Sequence, residues 1–73
     1  MPVIPCPYDE KVARFLRKQR GTLSYREFAP KIGLTKSVLY RLESQEQSIT
    51  LSKLHTLSQK LKVRVEDILS GKF

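Results

Sequence analysis

The twenty residues from Ser24 to Glu43, SYREFAPKIGLTKSVLYRLE, admit few local structures. Ser24-Tyr25-Arg26-Glu27 has the form S-x-x-E, in which the Ser side chain accepts from the amide three residues on and the Glu bonds back to the Ser amide. A helix therefore starts at Tyr25. Phe28, Ala29 and Ile32 fall on one side of it at helical spacing. Gly33 follows, the residue best suited to the left-handed conformation that ends a helix. Thr35 is an N-cap for a second helix from Lys36 to Glu43. Leu39 and Leu42 point inward from it and Leu34 plugs the turn. Lys36, Ser37, Tyr40 and Arg41 share its outer face at i, i+1, i+4 and i+5. Pro30 lies beyond the first turn of the first helix, where it removes a backbone bond and crowds the previous turn. The first helix is expected to be kinked or shortened there.

A polar, basic helix face by itself is ordinary solvated surface. The joint spacing of cap, Ala, turn Gly, second cap and closing Glu is more specific. Ser24, Phe28, Ala29, Gly33, Thr35, Leu39 and Glu43 match the pattern S-Q-x-x-L-A-x-x-x-G-x-S-x-x-x-I-x-x-x-E. In this the chain resembles the Cro/phage-repressor type, or XRE-like, helix-turn-helix proteins, over about Val12 to Leu69. The resemblance implies an all-α fold: a compact five-helix repressor-like domain with a helix-turn-helix core. It implies that Lys36–Glu43 is the recognition helix. It also implies an ion pair between Arg17 and Glu43, with Thr22 as an inserted residue, because an Arg before the first loop pairs in the family with the Glu closing the recognition helix. A guanidinium can clamp a carboxylate with two bonds. Tyr25 departs from the family's Gln, which contacts a phosphate; the Tyr hydroxyl could still reach one.

The chain has 73 residues and so one domain. A chain this short is marginal as a lone folding unit. Cys6 is the only cysteine, so no disulfide assists. One Cys and one His, His55, cannot build a zinc site, and no cofactor is expected. The net charge of +7, from 14 Lys and Arg against 7 Asp and Glu, favours a polyanionic partner. No apolar run approaches membrane-spanning length, and the N-terminus lacks a secretion-signal pattern. A cytoplasmic location is expected.

Residues 1–8, with Pro2, Pro5 and Pro7, read as an extended tail, either loose or an arm packing on a partner subunit. Residues 9–70 form the DNA-binding domain and 71–73 its C-terminal end. Asp9 is the expected cap of the first helix, which runs to about Arg20 with Val12, Phe15, Leu16 and Gln19 on one side and Lys11, Arg14 and Lys18 on the other. In the loop after the recognition helix, Gln45 stands near a position often held by Gly in the family. Gln45, Gln47 and Ser48 can donate to phosphates. Thr50 caps the helix Leu51–Leu61, whose Leu51, Leu54, Leu57 and Leu61 read as core. Lys62 stands where Gly would ease the turn. A last helix spans Glu66–Leu69, and Ile68, Leu69 and Phe73 either fold back on the core or form a dimer surface.

The expected function is sequence-specific binding of double-stranded DNA by a transcription regulator, a repressor acting as a homodimer. Lys36, Ser37, Tyr40 and Arg41 are the candidate base readers. Ser24, Tyr25, Arg26, Gln45, Gln47, Ser48, Thr50 and Lys53 are the candidate phosphate contacts, helped by the helix N-termini near Ser24 and Thr50. An antitoxin or co-regulator that mainly holds a partner protein, such as a toxin, is the alternative. RNA binding is disfavoured by scattered aromatics and membrane binding by the lack of a broad amphipathic face. No catalytic constellation can be assembled from these residues.

Overall fold

A computed structural model of the chain describes residues 6–73. Five α-helices follow one another: α1 (Pro7–Arg20), α2 (Tyr25–Phe28), α3 (Lys36–Glu43), α4 (Leu51–Lys60) and α5 (Val65–Ser70). A 3-10 turn, Ala29–Ile32, stands between α2 and α3. The fold is all-α, with no strand among the described residues.

Helix α1 starts three residues earlier than Asp9 as a cap would allow. Pro7 occupies the first turn, and Cys6 is the cap residue without a side-chain bond to the helix. The first four amides of a helix have no intrahelical acceptor, so the missing N–H of Pro7 costs nothing there. Asp9 and Glu10 thereby fall in the first turn, where their charge suits the helix dipole. Of the expected tail, Pro7 and Tyr8 are helical, while residues 1–5 lie outside the described residues.

The capping box at Ser24 forms as the sequence requires. The Ser24 hydroxyl accepts from the Glu27 amide and the Ser24 amide donates to the Glu27 carboxylate, both at 3.1 Å. Helix α2 then lasts one turn. Pro30 has no N–H to continue the α ladder, and the chain tightens into the 3-10 turn. The shortening expected from Pro30 is thus present. Gly33, at φ +74°, closes the turn, and Leu34 donates to the Ala29 carbonyl at 2.9 Å. Thr35 accepts from Val38 and starts α3; Thr50 accepts from Lys53 and starts α4.

Helices α3 and α4 end on left-handed residues that are not glycine: Gln45 at φ +60° and Lys62 at φ +57°. The amides beyond them close back on the helices, Glu46 onto Arg41 at 2.8 Å and Val63 onto Ser58 at 2.9 Å. A side chain in this conformation costs roughly 1–2 kcal/mol, partly offset because glycine has more freedom to lose on folding. Gln45→Gly and Lys62→Gly should each raise stability by about 0.5–1 kcal/mol. A urea titration checks this: the midpoint should rise with an unchanged slope. A fall in midpoint at either position would contradict the strain assigned to it.

Helix α1 is the centre of the packing and lies against both α3 and α5. Phe15 and Leu16 of α1, Leu39 of α3, Leu57 of α4 and Ile68 of α5 are fully buried, with Phe28, Ala29 and Ile32 completing the core around the helix pair. Ala13 joins Val12 on the buried face of α1, whereas Gln19 is exposed. Two expectations about apolar residues fail. Leu51 is not core but 81% exposed. It is the first residue of α4, and Cα–Cβ bonds lean toward a helix N-terminus, so its side chain projects past the cap and over no neighbour. Ile68 is not available as a dimer surface, being 0% exposed in the core of the single chain. Leu69 and Phe73 are half-buried beside it, and the Phe73 ring meets the Phe15 ring edge-on at 5.4 Å. The C-terminal apolar cluster therefore folds back on its own core.

Candidate nucleic-acid interface

Leu39, Leu42 and Glu43 anchor α3 inward. Lys36, Ser37, Tyr40 and Arg41 consequently face solvent, all exposed. They line one shallow groove together with Tyr25 of α2. The residues expected to read bases are thus brought together, with both cations, a hydroxyl and a half-exposed aromatic ring on one surface.

The anchor of this helix is Glu43, whose side chain is 1% exposed. A carboxylate so deeply buried needs full pairing to stay ionised. The expected ion pair of Arg17 with Glu43 is present, but the clamp comes from another arginine. Arg20, not Arg17, makes the two-bond clamp: its Nε donates to Oε2 at 2.9 Å and its Nη2 to Oε1 at 3.0 Å. Arg17 donates to the main-chain carbonyl of Glu43 at 2.8 Å and stands 3.8 Å from the carboxylate, with its side chain 59% exposed. Arg17 and Arg20 are three apart on α1 and project to the same side. The later one lies a turn closer to the end of α3. Its charge is held more firmly than usual, above all by the hydrogen bonds to Glu43. Arg20 also donates to the Leu23 carbonyl at 2.9 Å and lays its guanidinium 4.4 Å from the centre of the Tyr25 ring.

The candidate phosphate contacts fall into separate groups. Gln47, Ser48, Thr50 and Lys53 line one groove beside Thr35, the cap of α3. Two helix starts, those of α3 and α4, therefore open near the same depression. Within it the Ser48 hydroxyl already donates to Asp9 at 2.9 Å, and the Thr50 hydroxyl accepts from Lys53. Gln45 and Arg26 are exposed and outside both grooves. At the start of α2 the Ser24 amide is occupied by Glu27, which leaves the amides of Tyr25 and Arg26 as the outward ones. The Ser24 amide, and after it the Ser24 hydroxyl, hold the Glu27 carboxyl below the usual carboxylate range. This lowered value means the cap supports folding above the unfolded carboxyl pKa, and the support is lost as pH falls through the folded one.

No helix among the described residues is long and apolar enough to cross a membrane. A family model described as helix-turn-helix matches residues 14–68, which takes in α2, the 3-10 turn, α3, α4, the second half of α1 and most of α5. Neither the curated proteins nor the solved structures compared with the chain gave a match. Sequence reasoning missed Arg20 as the partner of Glu43 and the contact of Tyr25 with the reading face. The spacing of the two arginines makes Arg20 a candidate beside Arg17, but only the approach of the end of α3 decides between them; the second depends on the angle between α2 and α3, which no local pattern fixes.

Proposed function

Because the chain belongs to the Cro/phage-repressor type, XRE-like, helix-turn-helix family of DNA-binding regulators, we propose that it binds double-stranded DNA sequence-specifically through α3 and regulates transcription as a repressor. The observation that supports this best is the outer face of α3. Lys36, Ser37, Tyr40 and Arg41 are exposed along one groove, while the opposite face of the helix is locked to the core by Leu39, Leu42 and the buried Glu43.

In this reading α3 enters the major groove. Arg41 and Lys36 donate to guanine O6 and N7, Ser37 bonds a base edge or phosphate, and Tyr40 offers its ring to a thymine methyl. Lys53, Gln47 and Thr50, with the start of α4, and Arg26, with the start of α2, hold the phosphate backbone on either side and fix register. Two copies on a two-fold-related site place two such helices about one helical turn apart. Occlusion of the site by this pair gives repression.

Selection of bound duplexes from a random pool at moderate salt tests the reading. A two-fold motif with half-sites about one turn apart is expected. Binding that vanishes with salt and selects no motif would reduce the interaction to net charge. Arg41→Ala should cost about 1–3 kcal/mol at the preferred site and relax preference at one base pair, whereas Lys53→Ala should weaken all sequences alike and reduce the salt slope by about one. Arg41→Ala with affinity and preference intact would remove Arg41 from the readers.

A second reading, an antitoxin or co-regulator holding a partner protein, is favoured by one observation. The groove beside Phe73 is rimmed by Lys18, Lys62, Arg64 and Lys72 against the single acid Asp67. A two-fold contact between copies there would bring like charges together, whereas an acidic partner would be complementary. Charge reversal at Lys18 and Lys62 that leaves DNA selection intact but abolishes partner binding would identify this role.

A further inference from the structure

The reading face is tied to the core by an unbroken series of contacts. The buried Glu43 carboxylate fixes the Arg20 guanidinium with two hydrogen bonds. That guanidinium lies 4.4 Å from the Tyr25 ring centre, within cation–π range. The Tyr25 ring meets the Tyr40 ring at 5.7 Å and 79°, an edge-to-face pair. Tyr40, at the outer end of the series, is 50% exposed and lines the groove of candidate base readers. A half-exposed Tyr on a helix ordinarily exchanges between rotamers; a ring held edge-on by a neighbour that is itself clamped does not.

Resting on the reading of α3 as the recognition helix, we propose that Tyr25 is a positioning residue for DNA recognition: its ring, braced by Arg20, holds Tyr40 in the orientation in which it meets a base. The ring of Tyr25 performs this task and its hydroxyl does not, so the hydroxyl is left for a phosphate. A Gln at this position could supply neither the stack beneath the guanidinium nor the edge against Tyr40. Arg20 therefore serves both stability and recognition, since one guanidinium neutralises Glu43 and presses on Tyr25.

The test uses the full chain with Tyr25→Phe, Tyr25→Ala, Tyr40→Ala and the double alanine variant, each first shown by thermal unfolding to be folded. In the free protein, NMR side-chain couplings and ring shifts of Tyr40 should report one rotamer for the unsubstituted chain and for Tyr25→Phe, and averaging for Tyr25→Ala. In duplex selection, Tyr25→Ala should lose about 2- to 10-fold of preference at one base pair, the spread expected of one aromatic contact or one pre-ordered side chain. The base pair should be the one whose preference Tyr40→Ala loses, and the double variant should lose no more than Tyr40→Ala alone. Tyr25→Phe should keep the preference and weaken all sequences alike.

A Tyr40 ring that averages in the unsubstituted chain, or that Tyr25→Ala leaves unmoved, overturns the positioning role alone. So does a loss of preference at a different base pair from that of Tyr40→Ala. A Tyr40 ring held in one rotamer with no motif selected by the unsubstituted chain would instead overturn the DNA-reading of α3, and the recognition role with it.

Discussion

Arg20→Ala will lower the unfolding free energy by about 3 kcal/mol, the lower end of what breaking a buried ion pair costs. The loss comes from the partner left behind. Glu43 has 1% of its side chain exposed, and both of its oxygens take their short bonds from Arg20. Without the guanidinium, the carboxylate must stay charged without its clamp or take up a proton. Arg17 keeps the loss from being larger, since it already stands 3.8 Å from the carboxylate. The same figures predict the contrast. Arg17→Ala removes a largely exposed side chain bonded to a main-chain carbonyl, and should cost only about 1 kcal/mol. Denaturant titrations of both variants separate them. A double-mutant cycle between Arg20 and Glu43 should show strong coupling, and one between Arg17 and Glu43 weak coupling. Equal effects for the two arginines would mean that the clamp is shared rather than carried by Arg20.

The parts of this fold legible from sequence are those set by short-range chemistry. The capping box at Ser24, the caps at Thr35 and Thr50, the left-handed Gly33 and the break at Pro30 each follow from a few adjacent residues. So does the outer face of α3, because helical spacing alone puts Lys36, Ser37, Tyr40 and Arg41 on one side once Leu39 and Leu42 are inside. What the sequence left ambiguous depends on which element covers which. Leu51 has the same spacing to Leu54 as a core residue, yet sits where no other helix reaches. Arg17 and Arg20 share a face of α1, and only the approach of the end of α3 decides between them. Pro7 shows the other kind of ambiguity: the residue that forbids a helix interior is well placed in its first turn, so the same proline density fits either a tail or a helix start.

Ile68 distinguishes a core from an interface by the way its removal depends on concentration. The residue is 0% exposed in one chain, and Phe15, itself fully buried, belongs to the same core. Ile68→Ala should therefore cost about 2–5 kcal/mol, the range for truncating a large aliphatic side chain in a packed core. For a domain this small that is a large share of the total, since native stabilities run from about 5 to 15 kcal/mol. If the side chain instead sealed a contact between two copies, its loss would act through mass action, and the melting temperature of the unsubstituted chain would rise with protein concentration. Helix α5 in the single chain predicts otherwise: the destabilisation should be the same at low and high concentration. Phe73→Ala provides the comparison. Its ring packs edge-on against Phe15 but remains half-buried, so its removal should destabilise less than that of Ile68. Of the three residues in the C-terminal cluster, Leu69 and Phe73 alone keep exposed surface that a second copy or an acidic partner could cover. A cost for Ile68→Ala that vanishes on dilution would return Ile68 to the interface and require α5 to pack differently in the free chain.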